Sequence, residues 1–408
     1  MHVVAISNLF PPEVIGGAEK NVATDMAELA ERGHKVSVLT TGVESPTRSF
    51  SKTNTDGMSI YRTYPMNMYS PYEHQEEAAW KKPIQHIIDQ WNPYSYHLFY
   101  EKIEELNPDI IHIHNYSGLS KSVFSAAGMH NAPVVHTLHD YSALHIRPNL
   151  FVDGEIIQPG KIMQVYQKYN DEIIGGNVDL ILSPTQFVIN KHNEEGVFLD
   201  TPTKCIPHGI KNRGLNDYGN SSTNNSKSRI LYVGQLTQSK GVDLIIDAMK
   251  MVDVQNIECH ILGKGPERDT LEEKSKEDDR IIFHGFVSEA ELNRQYHLAD
   301  YTIVPSRWLE VFGLVIYESF AQRTPVIAAD IGGIPELIQE DKTGYLFEPK
   351  NPEDLAQVIH NSLTESDRLA KNVAKKDIGL QSHIDLLTKT YQILLDTSNK
   401  NTMLEKEY

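Results

Sequence analysis

Pro305-Ser306-Arg307-Trp308-Leu309-Glu310-Val311-Phe312-Gly313-Leu314-Val315-Ile316-Tyr317-Glu318 is the stretch on which the reading of this chain turns. It follows Tyr301–Val304, a short β-branched and aromatic run that reads as a buried strand. A helix is expected to start near Phe312-Gly313, which puts Glu310 ahead of it and Glu318 inside it. In open α/β sheets, ligands bind beyond the carboxyl ends of the strands, where this loop falls. The amides of Phe312, Gly313 and Leu314 then form a helix N-terminus suited to phosphate. Eight residues of helix would hold the two carboxylates about 12 Å apart. The next segment, Thr324–Glu336, supplies another strand, Val326–Ala329, and the turn Ile331-Gly332-Gly333.

Outward from there, short apolar runs alternate with amphipathic stretches, the pattern of βαβ units and parallel sheets. In the second half the candidate strands are Ile230–Val233, Glu258–Leu262, Ile281–Phe283, Tyr301–Val304, Val326–Ala329 and Gly344–Phe347. In the first half they are Val3–Ile6, Val36–Thr40, Ile60–Thr63, Ile110–His114, Val134–Leu138, Leu180–Ser183 and Thr203–Ile206. Ala18–Arg32 and Ser382–Leu395 read as helices, the first ending at Gly33. The polar stretch Asn216–Ser228 cannot bury a core and reads as a linker. Tyr64–Tyr100 is aromatic and aperiodic, either an insertion that faces a substrate or a packing loop.

Two doubly wound domains follow, since 408 residues exceed one ordinary domain. The expected boundaries are 1–208 joined by a C-terminal helix at 382–408, and 209–381. With 55 acidic against 38 basic residues, the chain carries a net charge of −17 and no basic face for nucleic acid. No apolar run approaches a membrane span, and the N-terminus lacks the composition of a signal peptide. The expectation is a cytoplasmic protein with at most peripheral contact at the inner membrane face. Cys205 and Cys259 lack metal-ligand spacing and read as structural thiols. His112 and His114 alternate along one strand and share a face. With His136 and His139 they are not read as a metal site, and no metal or cofactor is expected.

Pro11-Pro12-Glu13-Val14-Ile15-Gly16-Gly17-Ala18-Glu19 follows the first strand and opens the first helix. Gly16 and Gly17 would let a diphosphate approach the backbone closely, although an ordinary tight turn remains the alternative. The loop is not G-x-G-x-x-G, and no acidic residue closes the next strand, so a nicotinamide dinucleotide site is not expected.

The span Pro305–Glu336 resembles the signature of the family 4 glycosyltransferases, retaining enzymes of the GT-B fold. Two glutamates with seven residues between them, the intervening Phe-Gly-Leu and the later Gly-Gly-Ile-Pro-Glu carry the resemblance, which extends more weakly from Gly16 to about Leu395. It implies two Rossmann-like domains facing a central cleft, with the C-terminal helix crossing back onto the first. It further implies that Glu310 contacts the donor sugar and Glu318 the nucleotide ribose, while the backbone of Phe312, Gly313 and Leu314 holds diphosphate or sugar. The family's arginine and lysine on the donor diphosphate correspond to Gln235 and Lys240, so the lysine is kept and the arginine is not.

Gly265 and Arg268 match the loop near the nucleotide, Val287 the segment that reads the base, and His139 a histidine facing the donor sugar. Glu310, His139 and Lys240 are thus the expected catalytic residues. Arg268 and Arg307 are the cations that could offset Gln235. Pro207-His208-Gly209-Ile210 matches a hinge-proximal motif. The implied partners are a nucleoside-diphosphate-sugar donor and a glycan, lipid-linked or small-molecule acceptor. A glycoside phosphorylase, a sugar-nucleotide epimerase or a non-catalytic scaffold are the alternatives on this fold.

Overall fold

The first strand of each half becomes the pivot of a parallel sheet. The computed structural model describes residues 1–408 except 43–48, 65–66, 68–69, 71, 73–77, 79, 212–226, 377 and 406–408, with backbone only for 399–405. In chain order the first unit holds β1 (His2–Ile6), α1 (Gly17–Glu31), β2 (Lys35–Thr41), β3 (Ser51–Thr55), β4 (Met58–Thr63), α2 (Lys81–Gln90), α3 (Pro93–Leu106), β5 (Ile110–Ile113), α4 (Ser122–Gly128) and β6 (Val134–Thr137). A small hairpin, β7 (Phe151–Val152) and β8 (Glu155–Ile156), interrupts it. The unit resumes with α5 (Lys161–Ile174), β9 (Leu180–Ser183), α6 (Gln186–Glu194) and β10 (Thr203–Cys205).

The second unit contributes β11 (Ser228–Val233), α7 (Val242–Met251), β12 (Ile257–Leu262), α8 (Arg268–Ser275), β13 (Ile281–Gly285), α9 (Glu289–Leu298) and β14 (Tyr301–Val304). It continues through α10 (Leu314–Ala321), β15 (Val326–Ala329), β16 (Gly344–Phe347), α11 (Pro352–Ser362) and α12 (Ser366–Val373). The last helix, α13 (Leu380–Glu405), belongs to the first unit.

Among the described residues the first sheet has the order β10-β9-β6-β5-β1-β2-β4-β3, parallel except for β3. The second is parallel throughout, in the order β13-β12-β11-β14-β15-β16. In each, strand order reverses beside the unit's first strand, at β1/β5 and at β11/β14, the switch point where open sheets bind ligands. Central strands are buried from end to end because helices cover both faces, which explains their unalternating Val/Ile runs. Local chemistry sets the helix ends. Asn92 caps Tyr94 and Ser95 ahead of Pro93 in α3, Ser288 caps α9, and Asn351 caps α11 ahead of Pro352.

α13 packs Leu380, Ile384, Leu387 and Tyr391 into the first core beside Val22, Met26 and Leu29 of α1. Arg32 bonds Asp385 and Gln381 across the same seam.

Two sequence expectations change, and one strand lies outside the expected set. The first unit is 1–148, 159–208 and 380–408, and the second is 149–158 and 209–379, so the β7–β8 hairpin sits with the second unit. Its short arms pack Ile156 on the second core, and Lys350 pairs with Glu155 at 2.7 Å. The aperiodic 64–100 region contains α2 and the first part of α3, and its pattern is blurred because α2 leaves Ile84 and Ile87 exposed. β3 was missed because Ser51-Lys52-Thr53-Asn54-Thr55 is exposed at every position. Its hairpin turn, Asp56-Gly57 with both φ positive, was nevertheless legible. Most of the predicted linker, 216–226, lies outside the described residues.

Glycines hold the loops of the second unit against one another. A Cβ on Gly263 would stand 1.8 Å from the Gly234 carbonyl oxygen, whereas one on Gly33 would meet nothing within 4 Å. Both have positive φ. Gly33→Ala should therefore cost only the backbone term, about 1–2 kcal/mol. Gly263→Ala should cost at least about 3 kcal/mol because backbone must move. Urea unfolding of the two variants tests this, and equal losses would contradict it.

Candidate functional site

In the second unit the chemistry gathers at the β11/β14 switch point. Lys240 ends a single 3₁₀ turn after β11, and Gly241 follows with φ +68°. A Cβ at Gly241 would lie 2.2 Å from the Pro305 carbonyl oxygen, so the turn after β11 and the loop after β14 can touch only at a glycine. Arg307 N–H donates to the Ser239 carbonyl at 2.8 Å and seals the contact. Lys240 Nζ then lies 2.6 Å from Glu310 Oε1, and Ser306 Oγ donates to the same oxygen at 2.7 Å.

Glu310 is buried, and its backbone is clasped from the other side: Gly333 N–H donates to its carbonyl at 2.7 Å. Gly332, with φ +63°, approaches so closely that a Cβ would stand 2.5 Å from the Glu310 nitrogen. Trp308 lies 5.1 Å from the Lys240 ammonium. A buried carboxylate needs such pairing to remain charged.

Helix α10 begins at Leu314, with Gly313 at φ +87° as its cap. Val311–Gly313 is not helical, so the 12 Å spacing expected for a continuous helix does not apply. Phe312 is a core residue, edge-to-face on Tyr317 at 4.8 Å, and offers a ligand only its backbone. The Ile316 amide is taken by the Gly313 carbonyl at 2.9 Å, and the two first-turn amides before it have no carbonyl partner within the helix, so this end is electropositive. Glu318, one turn on, is half-buried and accepts a hydrogen bond from the Tyr296 hydroxyl of α9 at 3.0 Å.

Among the remaining expected residues of this unit, Gln235 is exposed, and its carbonyl accepts the Tyr232 hydroxyl at 2.8 Å. Gly265 is required by packing, since a Cβ there would meet the Leu236 carbonyl oxygen at 2.2 Å. Val287 packs partly buried beside Tyr296, next to an exposed Phe286 under Lys264. The two arginines proposed to offset Gln235 are both committed to carboxylates. Arg268 pairs with Glu272 at 2.8 Å and Arg307 with Asp243 at 2.7 Å.

The first unit has its own polar concavity at the β1/β5 switch point, a cavity of about 150 Å³. Glu19, Asn8, His114, His139, Asp140 and Ser142 are among its walls. The Gly16–Gly17 turn opens α1, and Gly16 N–H donates to Glu19 Oε2 at 2.8 Å. His139 approaches His114 at 3.1 Å and stacks on His208, with centroids 5.8 Å apart. His112 is a satisfied core residue between Tyr391 at 2.6 Å and Thr137 at 2.7 Å.

The sequence marks His208 only within a hinge-proximal motif and gives no sign of Asp25 and His383, yet the metal-capable atoms of the three lie within 4.8 Å of one another. Asn21 bonds Asp25 at 3.1 Å and His208 at 2.9 Å, and His383 bonds the Pro207 carbonyl at 2.7 Å and Asp25 at 3.3 Å. The same atoms therefore close a hydrogen-bond network. Only tertiary folding collects them, from α1, the segment after β10, and α13, so no spacing could announce them.

Both halves match known families. The model for glycosyltransferase family 4 covers residues 15–212, and that for glycosyl transferases group 1 covers residues 218–377. The chain belongs to the family 4 glycosyltransferases. An uncharacterised glycosyltransferase of Methanocaldococcus jannaschii is 25% identical, covering 93% of each chain. Among solved structures, the sucrose-phosphate synthase of Thermosynechococcus elongatus aligns at TM-score 0.77 with 20% identity, over 97% of this chain and 99% of that one. HepE of Anabaena in complex with UDP aligns at 0.68 with 17% identity, over 96% and 100%. The fold is GT-B. No helix among the described residues of this glycosyltransferase is long and apolar enough to cross a membrane.

Burial disfavours the charged form of His139, His136 and His192 in its first unit. Desolvation, then the neighbouring His136, pushes His139 down to about 3, and His136 and His192 are lowered to about 4. A base whose folded pKa is depressed lends stability above its unfolded value and loses it as pH falls towards the folded value. For His139 that window runs from about 6.5 down to about 3, at roughly 1.4 kcal/mol per unit. From pH 7 to pH 5, His139→Gln should therefore lose about 2 kcal/mol less stability than the parent chain. Urea titrations at both pH values measure it, and parallel losses would contradict it.

Proposed function

We propose that this glycosyltransferase moves a hexose from a nucleoside-diphosphate donor to an acceptor hydroxyl with retention of anomeric configuration, in the synthesis of a glycan, polysaccharide or glycolipid. The observation that carries the reading is the Lys240–Glu310 pair at the switch point, beside the N-terminus of α10. Lys240 and the α10 amides are fixed before reaction, so they favour the charge that builds on the departing diphosphate. Both bonds held by Glu310 fall on Oε1, which leaves Oε2 for donor-sugar hydroxyls. Glu318 is assigned to the ribose and the Val287 segment to the base, while Gly265 and Arg268 flank the nucleotide. From the first unit, His139 is assigned to the donor sugar and the Gly17 amide to the diphosphate, since the Gly16 amide, expected to join it, is held by Glu19. A UDP complex of a protein with this fold supports a nucleoside diphosphate as the group bound.

In the step itself, the bond from C1 to the diphosphate oxygen breaks. The bond from C1 to the acceptor oxygen forms on the same face, and the acceptor proton passes to the leaving phosphate. The reading calls for no metal and no covalent intermediate. Gln235 favours one rival, a non-catalytic subunit, because neither nearby arginine is unpaired to replace the missing guanidinium.

Calorimetry against a panel of UDP-, GDP- and ADP-sugars decides between them, since a subunit without a donor site binds none. Glu310→Gln should lower kcat at least a hundredfold with little change in donor affinity, and near-parental turnover would remove its assigned role. Glu318→Ala should weaken donor binding about tenfold or more, the worth of hydrogen bonds to a charged group. An unchanged calorimetric Kd would argue against the ribose assignment.

A further inference from the structure

Large apolar side chains stand exposed together on two helices of the first unit. Trp80, Ile84 and Ile87 recur at intervals of four and three, which is one face of α2, and Trp91 follows its last residue. All four are exposed, Ile87 at 72% and Trp80 at 63%. The other face of α2 is packed: Gln85 is buried, and Asp89 accepts the Gln85 side-chain amide at 2.9 Å and the Gly118 N–H at 3.1 Å. α5 repeats the division. Ile162 and Val165 are 81% and 74% exposed, while Gln167 and Asn170 are buried and bond the Leu144 and Ala143 carbonyls. The helices meet where α2 ends. Tyr169, on the Ile162–Val165 face, donates to the Gln90 carbonyl at 3.0 Å. The Lys121 ammonium joins them, 2.6 Å from Gln90 Oε1 and 4.1 Å from the Tyr166 ring.

Single exposed apolar residues are ordinary, but a patch of them with a polar rim marks a protein or membrane contact. The charge of the rim chooses between the two. Lys81 and Lys82 stand at the head of α2, and Lys161 and Lys168 on α5. Two of the carboxylates on these helices are bonded within the unit, Asp89 as above and Asp171 to the Phe198 N–H at 2.7 Å. Glu172 remains, 3.9 Å from Lys168. Glu73, Glu76 and Glu77, ahead of α2, lie outside the described residues. The patch is therefore rimmed by cations on a chain of net charge −17. Such a rim opposes the pairing of two copies and attracts anionic headgroups. Tryptophan settles at headgroup level, with aliphatic side chains at the acyl boundary below it.

We propose that this face of α2 and α5 docks on the surface of an anionic lipid bilayer, with Trp80, Ile84, Ile87, Trp91, Ile162 and Val165 entering the interface and the four lysines on lipid phosphates. The contact is peripheral, since no helix among the described residues could cross the bilayer. Both helices brace loops beyond the strands: Asp89 holds Gly118 after β5, and the Tyr166 hydroxyl donates to the Ser142 carbonyl after β6 at 2.9 Å. Docking thus sets those strand ends beside the lipid. The proposal goes beyond the transferase reading and does not depend on it, because surface binding requires no donor. Where both hold, a lipid-linked acceptor is the class that such a surface supplies.

Co-sedimentation of the full chain with vesicles tests the proposal, using phosphatidylcholine alone and phosphatidylcholine mixed with phosphatidylglycerol. The chain should bind the mixed vesicles at least fivefold more strongly than the neutral ones. Ile87→Glu/Val165→Glu should lower that binding at least tenfold, and Lys82→Gln/Lys168→Gln at least about fivefold. Both pairs are on the surface, so both variants should keep the parental melting temperature. The proposal is overturned if neither vesicle binds, or if the neutral vesicle binds as well as the mixed one. It is equally overturned if an Ile87→Glu/Val165→Glu variant of parental melting temperature binds like the parent. Sedimentation velocity without lipid is the remaining arm: a dimer that this variant dissociates would give the face to a second copy and overturn the proposal. Sugar-nucleotide calorimetry on the same samples keeps the two readings apart. Donor binding without vesicle binding sinks the docking face alone, and vesicle binding without donor binding sinks the transferase reading alone.

Discussion

Backbone touches backbone at Gly241 and Pro305, and the ion pair at the centre of the second unit depends on that contact. Lys240 and Glu310 are 70 positions apart, and no local preference brings an ammonium within 2.6 Å of that carboxylate. The contact does so because a glycine at φ +68° lets the Pro305 carbonyl pass where any Cβ would clash. Gly332 repeats the device against the backbone of Glu310 itself. Each loop of the site is therefore stacked on its neighbour, with glycine as spacer, and the charged groups arrive in fixed positions. A preorganised ammonium costs no reorientation when charge develops beside it, which is where electrostatic catalysis gains most.

The first unit reaches its own polar site by a different route. There the walls are side chains, contributed by the ends of three neighbouring strands, and their burial leaves the imidazoles uncharged. Behind them, Asn21, Asp25, His208 and His383 form a network that ties α1 to the two segments where the chain leaves and re-enters the unit. His139 stacks on His208, so the cavity wall and this network are one continuous packing arrangement. The two units thus embody opposite electrostatic choices. One presents an ammonium and helix amides, the other carboxylates and neutral rings.

Much of the architecture could be read from the chain. Every strand named from the sequence is present within a residue or two, because strands buried on both faces must be continuous apolar runs between glycine and polar breaks. What escaped were elements whose sequences obey other rules: β3, a polar edge strand marked only by Asp56-Gly57, and the β7–β8 hairpin, which leaves one unit to pack on the other unit's core. Within the site, Glu310, Glu318 and Gly313 could be picked out because they lie in one contiguous stretch. The role of Gly241 and Gly265 as spacers could not, since a glycine in a turn looks the same whether or not another backbone crosses it.

The sequence by itself determined the class of the protein: two parallel α/β units, a glutamate pair beyond a central strand, and a chain with the motifs of a family 4 glycosyltransferase. These follow from periodicity and contiguous motifs, which need no knowledge of what lies across the fold. Tertiary structure alone decided which charges meet. It paired Lys240 with Glu310, committed Arg307 to Asp243, and gathered Asn8, Glu19, His114, His139 and Asp140 around one cavity. Strand order places the ends of β1, β5 and β6 side by side, and strand order is set by the packing of whole helices on whole sheets, which no stretch of sequence states.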